Sequence, residues 1–287
     1  RGDAREESYY GSLADLLTDF PLDKGRKTKV TTLPKKTDAG NPDFRIWDGD
    51  HFIVGYIEAK TPGTNLDQVE TTDQLERYLN TFPNLILTDF FEFRLYREGE
   101  LIDQVSIGRH FTARRLKTTP QLENVEVFEA LLEKFFAFKL PKSFTAEQLA
   151  LELAKRTRFL RDQVVAEELK DEASGGGDLS GFYKAFKKYL IASLTPEQFA
   201  DLYSQTITYG LFAARTRAEG DFNRKLAFDY IPPTIGILRD VFKFISLGNL
   251  SPQMEVIVDD ITAVLNAAHI NSILDQYYKE GKGEDPI

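Results

Sequence analysis

Cysteine is absent from the 287 residues, which excludes a disulfide framework and any thiolate metal centre. Histidine is scarce as well: His51, His110 and His269 stand far apart, so a histidine-built zinc centre is not expected. No apolar run approaches the ~20 residues that a membrane-spanning helix needs, and no secretory signal opens the chain, so the cytoplasm is the expected location and no membrane is expected as a partner. A phosphate-cradling loop is missing too. The glycines of Ser174-Gly-Gly-Gly177 lead into Asp178 rather than Gly-Lys-Ser/Thr, and they read as a flexible joint. The chain also lacks a positive balance, its net charge being -9, which taken alone argues against nucleic acid as a partner.

What is present is core-forming material: 42% hydrophobic and 12% aromatic residues argue against global disorder. The charge is unevenly spread. Lys24, Arg26, Lys27, Lys29, Lys35 and Lys36 crowd one stretch, and Arg109, Arg114, Arg115 and Lys117 another, while acidic residues gather in helical surfaces such as Glu167 to Glu172. A solvated surface is the ordinary reading of both basic runs.

Periodicity divides the chain. Apolar residues at 9, 10, 13, 16, 17 and 20 mark an amphipathic helix over 6–20, which Pro21 is expected to stop. β-prone runs follow at 29–33, 43–47 and 51–60, the last two joined across Asp48-Gly49-Asp50 as a hairpin. Thr64 or Asn65 is placed to cap a helix over 66–80. Three further strands are expected at 84–88, 91–97 and 101–107, and from about Asn124 helical patterns take over. Pro232-Pro233 opens one helix through Ile245, and Leu250-Ser-Pro252 introduces another ending near Tyr278. The expected division is an α/β domain at 1–122 and a helical domain at 123–287.

Within the first part, Pro42-Asp43 is followed fifteen residues after the aspartate by Glu58-Ala59-Lys60. Alternate side chains on a strand share a face, so Glu58 and Lys60 point one way and Ala59 the other. If the hairpin forms, Asp43 arrives beside them at its open end. Two carboxylates, with the Ala59 carbonyl as a further oxygen, suit Mg²⁺. Such an ion makes a water nucleophilic and neutralises a phosphate, and Lys60 would then assist that water or stabilise the transition state. A buried ion pair is the alternative, because charges at the end of the apolar run Ile53-Val-Gly-Tyr-Ile57 must be paired or bound to metal.

The αβββαβ order, with Pro42-Asp43 on one strand and Glu58-Ala59-Lys60 on the next, resembles the PD-(D/E)XK nuclease superfamily. Gln74-Leu-Glu-Arg-Tyr78 on the following helix is similar to the Q-x-x-x-Y element of RecB-like nucleases and restriction subunits. The resemblance implies a restriction-endonuclease-like α/β core and a Mg²⁺-dependent hydrolase acting on double-stranded DNA, with Asp43, Glu58, Lys60, Gln74 and Tyr78 as catalytic residues. It implies a metal site of Glu6, Asp43, Glu58 and Ala59, with Glu7 the alternative to Glu6. Lys24, Arg26, Lys27, Lys35, Lys36, Arg114 and Arg115 are the matching candidates for phosphate contacts.

In the helical part, Ile231-Pro-Pro-Thr-Ile-Gly-Ile-Leu-Arg-Asp240 and Gly281-Lys-Gly-Glu-Asp-Pro286 look like the connector of single-chain restriction–modification enzymes. That likeness implies methyltransferase and target-recognition domains in a longer parent, with S-adenosylmethionine used there and two nuclease domains meeting on DNA. The rival expectation is a non-catalytic module of the same fold that binds DNA or protein.

Overall fold

The computed structural model describes residues 6–32, 42–48, 53–109, 121–140, 144–172, 178–220, 222–232 and 236–279. Among these residues the chain divides into two compact units, the first ending at Lys139 and the second beginning at Leu140.

The first unit is α/β. A short 3-10 turn at Glu6–Tyr9 leads into α1 (Tyr10–Asp23), followed by β1 (Lys29–Thr32), β2 (Phe44–Trp47) and β3 (Ile53–Ala59). Next come α2 (Leu66–Glu70), α3 (Asp73–Thr81), β4 (Asn84–Thr88), β5 (Glu92–Arg97), β6 (Glu100–Ser106) and α4 (Val125–Phe136). The six strands form one mixed sheet in sequence order. The β3–β4 pair is parallel and the others are antiparallel, as the α2–α3 crossover between β3 and β4 requires.

Every residue of β3 is buried, because helices cover the sheet on both sides and the strand carries an unbroken apolar run. On one face Ile57, Ala59, Ile86, Phe93 and Leu95 pack with Leu13 and Leu17 of α1 and Leu131 and Phe135 of α4. On the other face Tyr56 of β3 meets Phe82, which follows α3, at 4.2 Å between ring centroids. At Gly55 the Phe135 ring of α4 lies close against the strand. A Cβ there would lie 2.6 Å from the Asn84 carbonyl and 2.7 Å from the Phe135 ring. The Asn84 side-chain amide donates to the carbonyls of Val54 and Phe135, locking α4 to the central strands.

This packing explains why α4 belongs with the sheet. The sequence division at 122/123 places it in the helical part, whereas its apolar face, led by Phe128, Leu131, Leu132 and Phe135, completes the α/β core.

Pro21 does not stop the first helix, which continues to Asp23. Proline removes the amide that would bond the carbonyl of Leu17. The Thr28 hydroxyl donates to that carbonyl at 3.3 Å, so the final turn survives. The helix expected over 66–80 is two helices. Asn65 caps α2 through the amides of Asp67 and Gln68, and Thr72 restarts the chain by accepting from Leu75.

The second unit is helical: α5 (Ala146–Phe159) passes through a π-helical segment, Leu160–Val165, into α6 (Ala166–Glu172), followed by α7 (Asp178–Tyr189) and α8 (Pro196–Arg217). After a 3-10 turn at Arg224–Leu226 come α9 (Ala227–Tyr230), α10 (Gly236–Leu247), α11 (Pro252–Ala267) and α12 (Ile270–Lys279). The single helix expected to run from Pro252 to about Tyr278 is therefore broken at Ala268–His269. Capping boxes at Thr145/Gln148 and Thr195/Gln198 start α5 and α8. Arg156 of α5 is fully buried and ion-paired with Glu152 at 2.6 Å and with Asp260 of α11 at 2.7 Å. Arg224 ties Glu255 and Asp259 of the same helix at 2.9 and 3.0 Å. No described helix is long and apolar enough to cross a membrane.

Candidate active site

β2 and β3 pair so that Phe44 faces Ile57. That register carries Asp43, at the open end of the pair, to the end of β3 that holds Glu58. Both carboxylates are buried, Asp43 at 0% and Glu58 at 1% exposure. Asp43 is held at both oxygens: the Tyr10 hydroxyl donates to Oδ1 at 2.6 Å and the Ala59 amide donates to Oδ2 at 2.7 Å. Glu58 is ion-paired through Oε1 with Lys60 Nζ at 2.5 Å. The Lys60 side chain is 20% exposed, so the amine sits between a buried carboxylate and the outside.

Strand alternation sends Tyr56, Glu58 and Lys60 toward the side covered by α3. Gln74 and Tyr78 stand there one turn apart, the Gln74 amide donating to the Tyr78 hydroxyl at 3.0 Å. Tyr78 is fully buried. Burial raises its pKa well above the usual phenol range; the Glu58 charge raises it further and the Asp43 charge adds to this, against a lowering by the Gln74 hydrogen bond. The charges of both carboxylates therefore act on the Tyr78 hydroxyl. Its hydroxyl stays protonated and accepts the hydrogen bond from Gln74.

The structure thus brings Asp43, Glu58, Ala59, Lys60, Gln74 and Tyr78 to one end of the central strands. Glu6 lies in the turn before α1, but its side chain is outside the described residues, and Glu7 is exposed. Among the described residues no group of three or more His, Asp or Glu side chains is gathered so as to hold a metal ion.

The basic candidates divide differently. Lys35, Lys36, Arg114 and Arg115 lie outside the described residues. Lys24 and Arg26 reach Glu133 of α4 at 3.2 and 3.4 Å, and Lys27 is exposed. They follow the C-terminal end of α1, whereas Tyr10 at its start holds Asp43. Fourteen residues at 1.5 Å rise separate the two ends by about 20 Å, so Lys24 and Arg26 are not gathered at the carboxylates.

Two contributors carried no signal in the motif spacing. Tyr10 is one, an aromatic position indistinguishable by periodicity from a core residue. Asp89 is the other: it accepts from the amides of Gly63, Phe91 and Glu92, anchoring the turn that follows Lys60 to the end of β4. A further buried cation, Arg94 on the same sheet face as Glu58, is bound by Asp67, Glu70 and Glu92 at 2.6–2.7 Å. Its neighbour Tyr96 hydrogen-bonds Glu70.

A scan against protein-family models found no match, and a search of curated proteins found none either. Among solved structures, the cryoEM structure of a DrdV–DNA complex contains a similar chain: the alignment covers 98% of this chain at 19% identity and a TM-score of 0.35. The chain spans about a quarter of that longer one, 26% of its length.

Proposed function

We propose that this protein is a Mg²⁺-dependent DNA phosphodiesterase of the PD-(D/E)XK type, cutting double-stranded DNA as the nuclease part of a longer restriction–modification protein. The observation that carries the reading is the convergence of Asp43, Glu58 and Lys60 at the end of one buried hairpin. Buried carboxylates on neighbouring strands are hard oxygen donors, and a pair of them matches the one or two protein carboxylates that Mg²⁺ usually takes.

Asp43 and Glu58 would hold the ion, with the Ala59 carbonyl and a glutamate at 6 or 7 as further oxygens. When bound, Mg²⁺ supplies an acidified water and neutralises charge on the scissile phosphate. Lys60 has the reach to position that water or to stabilise the pentavalent phosphate, since it is partly exposed while Glu58 orients its amine. Tyr78, kept neutral by burial, and Gln74 support the site as uncharged hydrogen-bonding groups. Phosphate contacts by Lys24, Arg26, Lys27, Lys35, Lys36, Arg114 and Arg115 belong to the same proposal, as do the partner methyltransferase and recognition domains and a pairing of two nuclease domains to cut both strands.

One observation favours a second reading. Lys60 already neutralises Glu58, and neutral donors reach both oxygens of Asp43, a pattern that a non-catalytic binding module would also show. Calorimetric titration with Mn²⁺ separates the two. The nuclease reading requires binding by the native chain that Asp43→Ala abolishes, and Mg²⁺-dependent cleavage of duplex DNA by the longer protein that Asp43→Ala or Lys60→Ala removes while the fold persists. Absence of Mn²⁺ binding, with and without DNA, would leave the binding module.

A further inference from the structure

We infer that Tyr10 is a positioning residue for the Asp43 carboxylate, an inference that rests on the metal-site reading above and extends it to the first helix. Tyr10 is attached at two points. Its ring packs against Phe44 at 4.8 Å between centroids, and its hydroxyl donates to Asp43 Oδ1 at 2.6 Å. The Ala59 amide holds Oδ2 at 2.7 Å. One hydrogen bond to each oxygen fixes both the rotation of the carboxylate and its tilt. The orientation of the carboxylate is then set by the protein rather than by an incoming ion.

The two donors come from different places. The Ala59 amide belongs to the hairpin that carries the site, so it moves with Asp43. Tyr10 belongs to α1, whose Leu13 and Leu17 are sunk in the core on the opposite sheet face from Tyr78. The Tyr10 hydroxyl therefore ties the orientation of one ligand to the seating of a separate element. It also fixes the start of α1, one helical turn after Glu6, beside Asp43. Outer partners of ligating carboxylates change metal affinity when removed, typically by 10–100-fold.

The test is Tyr10→Phe, which keeps the ring on Phe44 and deletes only the hydroxyl. Mn²⁺ affinity is measured by calorimetry on the native chain, Tyr10→Phe, and Leu13→Ala, which loosens the same helix without touching Asp43. Unfolding midpoints are measured on all three without metal. The inference expects Mn²⁺ binding by the native chain, at least about tenfold weaker binding by Tyr10→Phe, and a smaller change in Leu13→Ala even where it unfolds more easily. Equal affinity in the native chain and Tyr10→Phe overturns the inference and leaves the metal-site reading standing. An equal loss in Leu13→Ala overturns it too, since helix seating rather than the hydroxyl would then be responsible. No Mn²⁺ binding by the native chain overturns the reading and the inference together.

Discussion

Glu58 and Lys60, two residues apart at the end of β3, are joined at 2.5 Å, with the carboxylate sealed from solvent and the amine reaching outward. Deleting one partner of such a pair leaves a buried charge uncompensated, which is far more costly than deleting both. Lys60→Met should therefore destabilise the chain by about 3 kcal/mol, while Glu58→Gln with Lys60→Met should lie much closer to the native protein. Urea unfolding of the single and double variants reads this directly. A double variant as unstable as Lys60→Met would remove the ion pair from the account.

The same site gives a metal-dependent stability. Ligands that bind only the folded state raise its stability by RT ln(1 + [L]/Kd), about 2.7 kcal/mol at one hundred times Kd. Mg²⁺ should raise the unfolding free energy of the native chain and leave Asp43→Ala unmoved. An identical Mg²⁺ effect in both would mean that the ion binds elsewhere.

Gly55→Ala tests the contact between α4 and the sheet. The added methyl would meet backbone and an aromatic ring inside 3 Å, neither of which yields easily. Overpacking of this kind costs about 1–3 kcal/mol. Denaturant unfolding of this variant should show that loss, and native stability would show that α4 does not press on β3.

Tyr78 links stability to alkaline pH. Burial, with the Glu58 and Asp43 charges, raises its folded pKa above the ordinary phenol value near 10, so the folded state holds the proton more tightly than the unfolded chain. The resulting contribution is fully present below pH ~10 and declines as pH rises beyond it. The unfolding free energy measured between pH 9 and about 11 should fall more steeply in the native chain than in Tyr78→Phe. Tyr96, raised by burial and by Glu70, adds a similar but separate slope that both proteins share. Parallel curves would mean that Tyr78 ionises in the folded state as readily as in the unfolded one.

In the second unit, Arg156→Met should cost about 3–5 kcal/mol, because Asp260 and Glu152 lose the cation between them. Burial pushes the Glu152 pKa up, but the Arg156 charge and the hydrogen bonds from Lys155 and Arg156 outweigh it, and the net shift is downward. A depressed carboxylate contributes stability that is present above its unfolded pKa, near 4.3, and is lost as pH falls through the folded value. The Arg156→Met protein should lose less on acidification than the native one, as followed by circular dichroism. Equal losses would place the acid sensitivity elsewhere.

The elements themselves were largely legible. The run at 84–88 is a strand with those limits, and the others expected in the first part end within two residues of the observed boundaries. Asn65 caps its helix because an asparagine there reaches the free amides of the first turn. The failures share one cause. Pro21 reads as a stop because its own chemistry removes a local hydrogen bond, and the acceptor that rescues the helix, through Thr28, comes from beyond the helix end. Thr71–Thr72 and Ala268–His269 divide stretches that local helical patterning joins into single helices. Helix α4 looked like the first of the helical part because periodicity records that a face is apolar and not what covers it.

The sequence by itself determined that Glu58 and Lys60 share a face, that Gln74 and Tyr78 stand one turn apart, and that a hairpin could bring Asp43 near them. These are consequences of strand and helix repeat, which depend only on neighbours in the chain. Only the tertiary structure decided that Tyr10 and Ala59 grip the two Asp43 oxygens, that Tyr78 lies within reach of the Glu58 charge, and that Lys24 and Arg26 turn instead to Glu133. Those partners are set by how helices seat on a sheet, where burial and the pairing of buried polar groups select one packing among many that the same local pattern permits.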